Sequence, residues 1–256
     1  MAEKSFAPQS TALVQGASRG IGLALVRELG RRPAWSSIVA CCRDPASASE
    51  LSALADDSEG RVQLQRLDVT DVASIEAVAE RIRDDDHKLS LVMNVAGILH
   101  DQGLGPEKRI EDLDWHALQR VFAVNALGPA MMLRHFLPLM RGQDRAVFAA
   151  VSARVGSIED NRLGGWYAYR ASKAALNQFL KTASVEAGRR FRNVIVAALH
   201  PGTTDTGLSE PFQANVPEGK LFSTEFVAER LVSIVEGFGP EDNGCFRDWD
   251  NQPIPW

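Results

Sequence analysis

TALVQGASRGIGLALVREL, residues 11–29, sets the terms for the whole chain. Thr11–Gln15 reads as a β-strand, glycines follow at 16, 20 and 22, and a helix is expected near Ile21–Leu29. A strand that feeds a glycine-rich turn and then a helix is built to hold phosphate. Glycine lets the backbone approach the anion closely, and the amides and dipole of the helix start meet its charge. Gly16, Ser18, Arg19, Gly20, Ile21 and Gly22 are therefore candidate cofactor contacts. The spacing is G-x-x-x-G-x-G rather than the commoner G-x-G-x-x-G.

Working outward, the same alternation continues. Strands are expected at Ser36–Cys42, Val62–Val69, Leu89–Gly97, Arg145–Ala153 and Val194–Gly202, with a last strand-like piece at Gly244–Trp249. Helices are expected over Val72–Arg83, from Ala168 to about Arg190, and near Thr224–Glu236. Asp112–Met140 reads as a long helical region interrupted around Gly128-Pro129. Near-continuous apolar strands separated by helices predict a parallel sheet covered on both faces. The expected architecture is α/β, one doubly wound Rossmann-type domain over residues 1–256 with about seven strands. Ligand then binds at the carboxyl ends of the strands. The long irregular stretches, Ile98–Arg109 and Pro201–Phe222, each follow a strand at that end, where loops act as lids.

The chain has 256 residues, is 45% hydrophobic and carries a formal charge of −5. This length supports a large core, and the acidic balance argues against a nucleic-acid partner. Cys41, Cys42 and Cys245 are odd in number and lack metal-ligand spacing, which suggests reduced thiols and no metal. The first ten residues have no apolar export core, and no apolar run approaches membrane-spanning length. A cytoplasmic protein, not bound to membranes, is expected.

The second strand ends in CCRDP, where NAD-binding chains tend to place an acidic residue for the ribose hydroxyls. Here Arg43 stands in that region and Arg19 lies in the glycine turn. Two guanidiniums suit the 2′-phosphate of NADP. Asp44 is the opposing feature, since a shift of one residue would put a carboxylate there. Asp68, after the third strand, is either an acceptor for the adenine amino group or a cap for the next helix.

The only two tyrosines, Tyr167 and Tyr169, lie in GGWYAYRASKAALN, residues 164–177. On a helix Tyr169 and Lys173, four apart, share a face, whereas Tyr167 and Lys173 do not. A working pair, if one exists, is Tyr169 with Lys173.

GASRGIG at 16–22, NVAG at 94–97, Asn125, a serine at the end of strand five, YRASK at 169–173 and HPG at 200–202 follow one another in a known order. Together they resemble the short-chain dehydrogenase/reductase family over nearly the whole chain. SARVGSI, GGWYAYRASKAALN and HPGTTDTGLSEPF resemble the branch with C-factor-like proteins and sniffer-type carbonyl reductases. The resemblance implies an NADP-dependent oxidoreductase acting on a small carbonyl/alcohol pair. Tyr169 would be the general acid/base, with Lys173 lowering its pKa and holding the nicotinamide ribose. Asn125 would support a proton relay or simply mark a helix kink. Val69, Asn94, Ala96, Gly97, Pro201, Gly202, Thr203 and Thr206 would line the cofactor.

The serine that orients the substrate carbonyl departs from the pattern. The family position, three before Gly156, holds Ala153. Ser152 is the first candidate to replace it, provided a bulge or register shift turns it toward substrate, and Ser157 is the second. Leu99, His100, Trp166, Leu208 and Phe212 are candidates for an apolar pocket under a substrate loop at about 203–222. A homodimer or homotetramer through helical faces is expected. The competing readings are a non-catalytic NADP(H)-binding signalling or sensing protein and an NAD-dependent alcohol dehydrogenase.

Overall fold

The structure is a computed structural model that describes residues 6–7, 9–85 and 88–256. The reading of the amino terminus falls mainly on residues 1–5, outside that set.

In chain order the elements are β1 (Ser10–Gln15), α1 (Gly20–Arg31), β2 (Trp35–Cys42), α2 (Ser49–Asp56), β3 (Val62–Arg66), α3 (Val72–Asp84) and β4 (Leu89–Asn94). Then come α4 (Trp115–Phe122), α5 (Gly128–Phe136), β5 (Ala146–Val151), α6 (Tyr167–Arg190) and β6 (Val194–His200). The chain finishes with β7 (Thr203–Thr204), β8 (Leu221–Phe222), α7 (Thr224–Gly237) and β9 (Phe246–Asp248). Seven strands form one sheet in the order β3-β2-β1-β4-β5-β6-β9, and every pairing is parallel. The expected doubly wound sheet is present.

Its strands are apolar because both faces are covered. One core layer joins Leu25 and Leu29 of α1, Leu51 of α2 and Leu231 and Val235 of α7 to alternate strand residues such as Val14 and Ala149. The other joins Ile75 of α3, Phe136 of α5 and Leu176 and Leu180 of α6 to the intervening ones, such as Leu13 and Phe148. Helices start where short polar side chains can take up free amides. Asp71 accepts from Ser74 N before α3, Asp114 from Ala117 N before α4, and Ser223 from Phe226 N before α7.

Several boundaries differ from the expectation, and β5 and β6 each stop two residues early, at Val151 and His200. β3 stops at Arg66, and β4 at Asn94, so that Asp68, Val69, Ala96 and Gly97 lie in loops. The long helical region breaks before Gly128-Pro129, in a π-helical turn over Ala123–Leu127. Pro129 has no N–H to give to the carbonyl four residues back, and the ladder widens to five where that bond is missing. The stretch 201–222 is also more ordered than a plain loop. It holds the β7–β8 pair and a 3₁₀ helix over Glu210–Asn215.

Candidate active site

β1 lies between β2 and β4, so successive connections leave it in opposite directions and a crevice opens beyond its carboxyl end. The turn after β1 fills one side of that crevice. Gly16 adopts φ +86°, and a Cβ there would sit 2.8 Å from Ala96 N, so the turn and the loop after β4 meet backbone to backbone. A Cβ on Gly22 would lie 2.0 Å from Gly16 O, which lets α1 begin directly beneath the turn. The amides of Gly16 and Ala17 both donate to Cys41 O at the end of β2. Gln15 Oε1 accepts from Ala96 N at 3.2 Å, a cross-tie that the sequence did not suggest.

This crevice fits a dinucleotide. Arg19 at the start of α1 makes no side-chain cap, and the first turn of α1 carries no acidic residue. The positive end of that helix therefore meets no carboxylate of its own first turn. Asn94 Oδ1, at the end of β4, is buried without a hydrogen-bond partner, a costly state that a polar ligand group would relieve. Arg19, in the turn after β1, and Arg43, just after β2, are both exposed. Asp44 accepts from Ala46 N and caps the short helix Pro45–Ser47, so its carboxylate is committed to that turn. Asp68 is not the cap of α3, which is Asp71; its Oδ1 accepts from Thr70 N and Thr70 Oγ1. Val69 packs on α5, where a Cβ at Gly128 would come within 2.6 Å of Val69 Cβ. Thr206 Cγ2 would lie 3.3 Å from a Cβ on Gly20, so the loop after β6 reaches across to the glycine turn.

The second half of the crevice is built on α6. Tyr169 is 8% exposed and Lys173 3%, one helical turn apart. Lys173 Nζ stands 5.8 Å from the Tyr169 ring centroid and donates to Val151 O at 2.9 Å. A Cβ on Gly97 would lie 3.5 Å from Lys173 Nζ and 3.4 Å from Asn125 Oδ1, so these three residues converge. Asn125, in the π-helical turn, is fully buried. Its amide accepts from Ile98 N (2.8 Å) and donates to Ile98 O (2.8 Å) and Ser172 Oγ (3.1 Å). One side chain thus ties the loop after β4 to α6. Burial pushes the Tyr169 phenol up to about 12 and holds the Lys173 ammonium down to about 8. The expected lowering of the tyrosine by its lysine is not seen, because desolvation by burial sets the shift.

Neither serine candidate reaches this pair. The β5–β6 register runs without a bulge, so Ser152 faces α6, where its hydroxyl donates to Asn177 Oδ1 at 2.6 Å in a buried bond. Asn177 is eight residues beyond Tyr169, about 12 Å along the helix. Ser157 Oγ donates to Trp256 O and accepts from Asp160 N. Ala153, half-buried at the end of β5, occupies the expected serine position.

A residue missed in the sequence closes the start of α6. Trp166 precedes the helix in a left-handed conformation and offers no cap. Glu107, 6% exposed, supplies one from the loop after β4: its backbone O accepts from Trp166 N and its carboxylate from Ala168 N at 3.1 Å. Among the described residues no cluster of three metal-ligating side chains exists, and no helix is long and apolar enough to cross a membrane.

Residues 10–217 match the model of the short chain dehydrogenase family. The chain belongs to that family. As a short-chain dehydrogenase it is 33% identical, over 96% of its own length and 100% of the relative's, to 1-hydroxy-2-glutathionyl-2-methyl-3-butene dehydrogenase of Rhodococcus. Among solved structures it is similar to the carbonyl reductase Sniffer of D. melanogaster, with a TM-score of 0.84 and 26% identity over 97% of this chain and 100% of that one. It is also similar to an NADPH-bound carbonyl reductase from chicken fatty liver, with a TM-score of 0.86 and 26% identity over 100% and 97%. The short-chain dehydrogenase is accordingly an oxidoreductase with carbonyl reductases among its structural neighbours.

Proposed function

We propose that this short-chain dehydrogenase transfers hydride between NADP(H) and a carbonyl/alcohol pair, with Tyr169 as proton donor in the reducing direction. The observation that carries the reading is the convergence of Lys173, Asn125 and Gly97 beside a buried Tyr169, across the crevice from the glycine turn. Bound NADPH would supply the hydride to the carbonyl carbon. Tyr169, held protonated by burial, gives its proton to the carbonyl oxygen as the alkoxide forms. Lys173 stabilises the phenolate left behind and would hold the nicotinamide ribose. Asn125 positions the Ile98 loop against α6.

The turn Gly16–Gly22 would hold the diphosphate, Asp68 and Val69 the adenine side, Asn94, Ala96 and Gly97 the central crevice, and Pro201, Gly202, Thr203 and Thr206 the nicotinamide side. Arg19 and Arg43 support NADP over NAD, and the capping role of Asp44 in the turn Pro45–Ser47 weakens the opposing feature. A homo-oligomer is part of this reading, supported by Phe179 and Val185 exposed along α6.

Ala153 favours a second reading, in which the chain binds NADP(H) without turnover. Oxidation of NADPH and NADH against aldehydes, ketones and quinones, beside direct binding of both cofactors, separates the two. Turnover with NADPH that is lost in Tyr169→Phe, with cofactor binding kept, supports the reductase. Tight NADPH binding with no turnover on any carbonyl supports the sensor.

A further inference from the structure

Four rings form a continuous wall leading away from Tyr169. Trp166 meets the Tyr169 ring edge-on, with centroids 6.2 Å apart and planes at 77°. The phenyl ring of Phe212 packs against Trp166 at 4.9 Å and 56°. His100 meets Phe212 at 5.9 Å and 67°. These members differ in how firmly they are held. Trp166 closes a run of three left-handed residues, with φ +63° at Gly164, +64° at Gly165 and +53° at Trp166 itself. Such a backbone is strained for a tryptophan, and Glu107 fixes it through Trp166 N and Ala168 N. Phe212 belongs to the short 3₁₀ helix of the substrate loop. The root of that loop is anchored upstream, where His100 Nε2 bonds the carbonyls of Gly207 and Leu208 at 3.0 and 3.1 Å.

We propose that Trp166 is a specificity-determining residue that forms a subsite for a neutral aromatic ring on the substrate, and that Phe212 fills this subsite until substrate displaces it. The proposal rests on the carbonyl-reductase reading for the position of the reacting group. In this proposal a substrate ring takes the place beside Trp166 when its carbonyl reaches Tyr169. The group it displaces there is a phenyl ring, and the contact it breaks is ring on ring. Only another aromatic ring restores that contact in full; a saturated ring of the same size restores the contact area but not the edge-and-face attraction. Tyr169, Trp166 and Phe212 carry no charge, so an anionic group at this subsite would lose water without a partner. Displacement is local to the 3₁₀ helix, since the loop root stays bound to His100.

Acetophenone and cyclohexyl methyl ketone carry the same acetyl group on a flat and on a saturated ring. Their dissociation constants would be measured by calorimetry on NADP+-saturated protein, beside KM values for NADPH consumption. The expected result is about fivefold tighter binding of acetophenone, the scale of an aromatic pair. Trp166→Phe should keep most of that ratio and Trp166→Leu should bring it to about one. Phe212→Leu gives an independent arm: removing the competing ring should tighten acetophenone binding a few-fold. A ratio of one in the unmodified protein, a ratio unchanged in Trp166→Leu, or weaker acetophenone binding in Phe212→Leu each overturns the subsite. A preference in binding with no NADPH consumption keeps the subsite and removes the reductase reading. Turnover of both ketones with equal KM does the reverse.

Discussion

Burying the Lys173 ammonium costs the fold stability that only a working site would repay. Its pKa falls from 10.5 to about 8 by desolvation. A folded-state pKa below the unfolded one means that the unfolded chain binds the proton more tightly, so stability is lost below pH 8 and recovered as pH rises from 8 to 10.5. Lys173→Met should abolish turnover and stabilise the protein at pH 7 by about 2 kcal/mol, after allowing for the lost bond to Val151 O. Urea midpoints at pH 7 and pH 10.5 check this; the gain should shrink at the higher pH. The same titration bears on rate. Reduction needs the charged lysine, so kcat should hold level below neutrality and decline with an apparent pKa near 8. A flat profile to pH 10 would remove Lys173 from the proton-transfer step. Ala153 invites the opposite experiment. A hydroxyl placed there can donate to the substrate carbonyl, and Ala153→Ser should raise kcat/KM about tenfold, the scale of one added hydrogen bond. Helical spacing alone pairs Tyr169 with Lys173, whereas the role given to them rests on the resemblance to the family. The fate of Ser152 was not legible: its direction depends on the β5–β6 register, and the partner that claims it, Asn177, lies 25 residues away.

At the scale of the element, α6 carries both residues of the proposed catalytic pair on a helix whose first turn depends on a distant side chain. Its interior was plain from its Ala-rich, Gly- and Pro-free start, whereas its cap comes from Glu107, 61 residues before Ala168. No local pattern announces a cap supplied across the fold. Losing one costs a helix end about 1 kcal/mol, here within a turn of Tyr169. Glu107→Ala should lower kcat several-fold and lower stability together. Glu107→Gln keeps an acceptor oxygen and should restore kcat to near the unmodified value, which a role in charge would not allow. Loss of kcat in both variants would show that the carboxylate acts by its charge. The π-helical turn teaches a related lesson. Gly128-Pro129 signalled an interruption, but proline disturbs the bond to the residue four back, so the break and the buried Asn125 sit ahead of it.

Across the whole molecule, the sheet order and both core layers follow from one property of the sequence, the apolar runs that a doubly covered parallel sheet demands. The ligand edge follows from the same topology, since most of the proposed cofactor contacts lie at or just beyond a strand's carboxyl end. That dispersal has a thermodynamic consequence. A ligand held by the loops after β1, β2, β3, β4 and β6 ties five separate segments to the folded state and none in the unfolded chain. Saturation at a hundredfold over Kd adds about 2.7 kcal/mol, and for a chain of this size that amounts to roughly 5–10 °C in Tm. On the proposed placement of Arg19 and Arg43 at the adenosine end, NADPH should give the larger shift at equal concentration, and NADH a smaller one. Arg43→Ala should remove most of the difference and leave the NADH shift in place, because the 2′-phosphate is the only group that distinguishes the two ligands. Equal losses for both cofactors would place Arg43 in the crevice's general framework, and a larger NADH shift in the unmodified protein would return the choice to NAD.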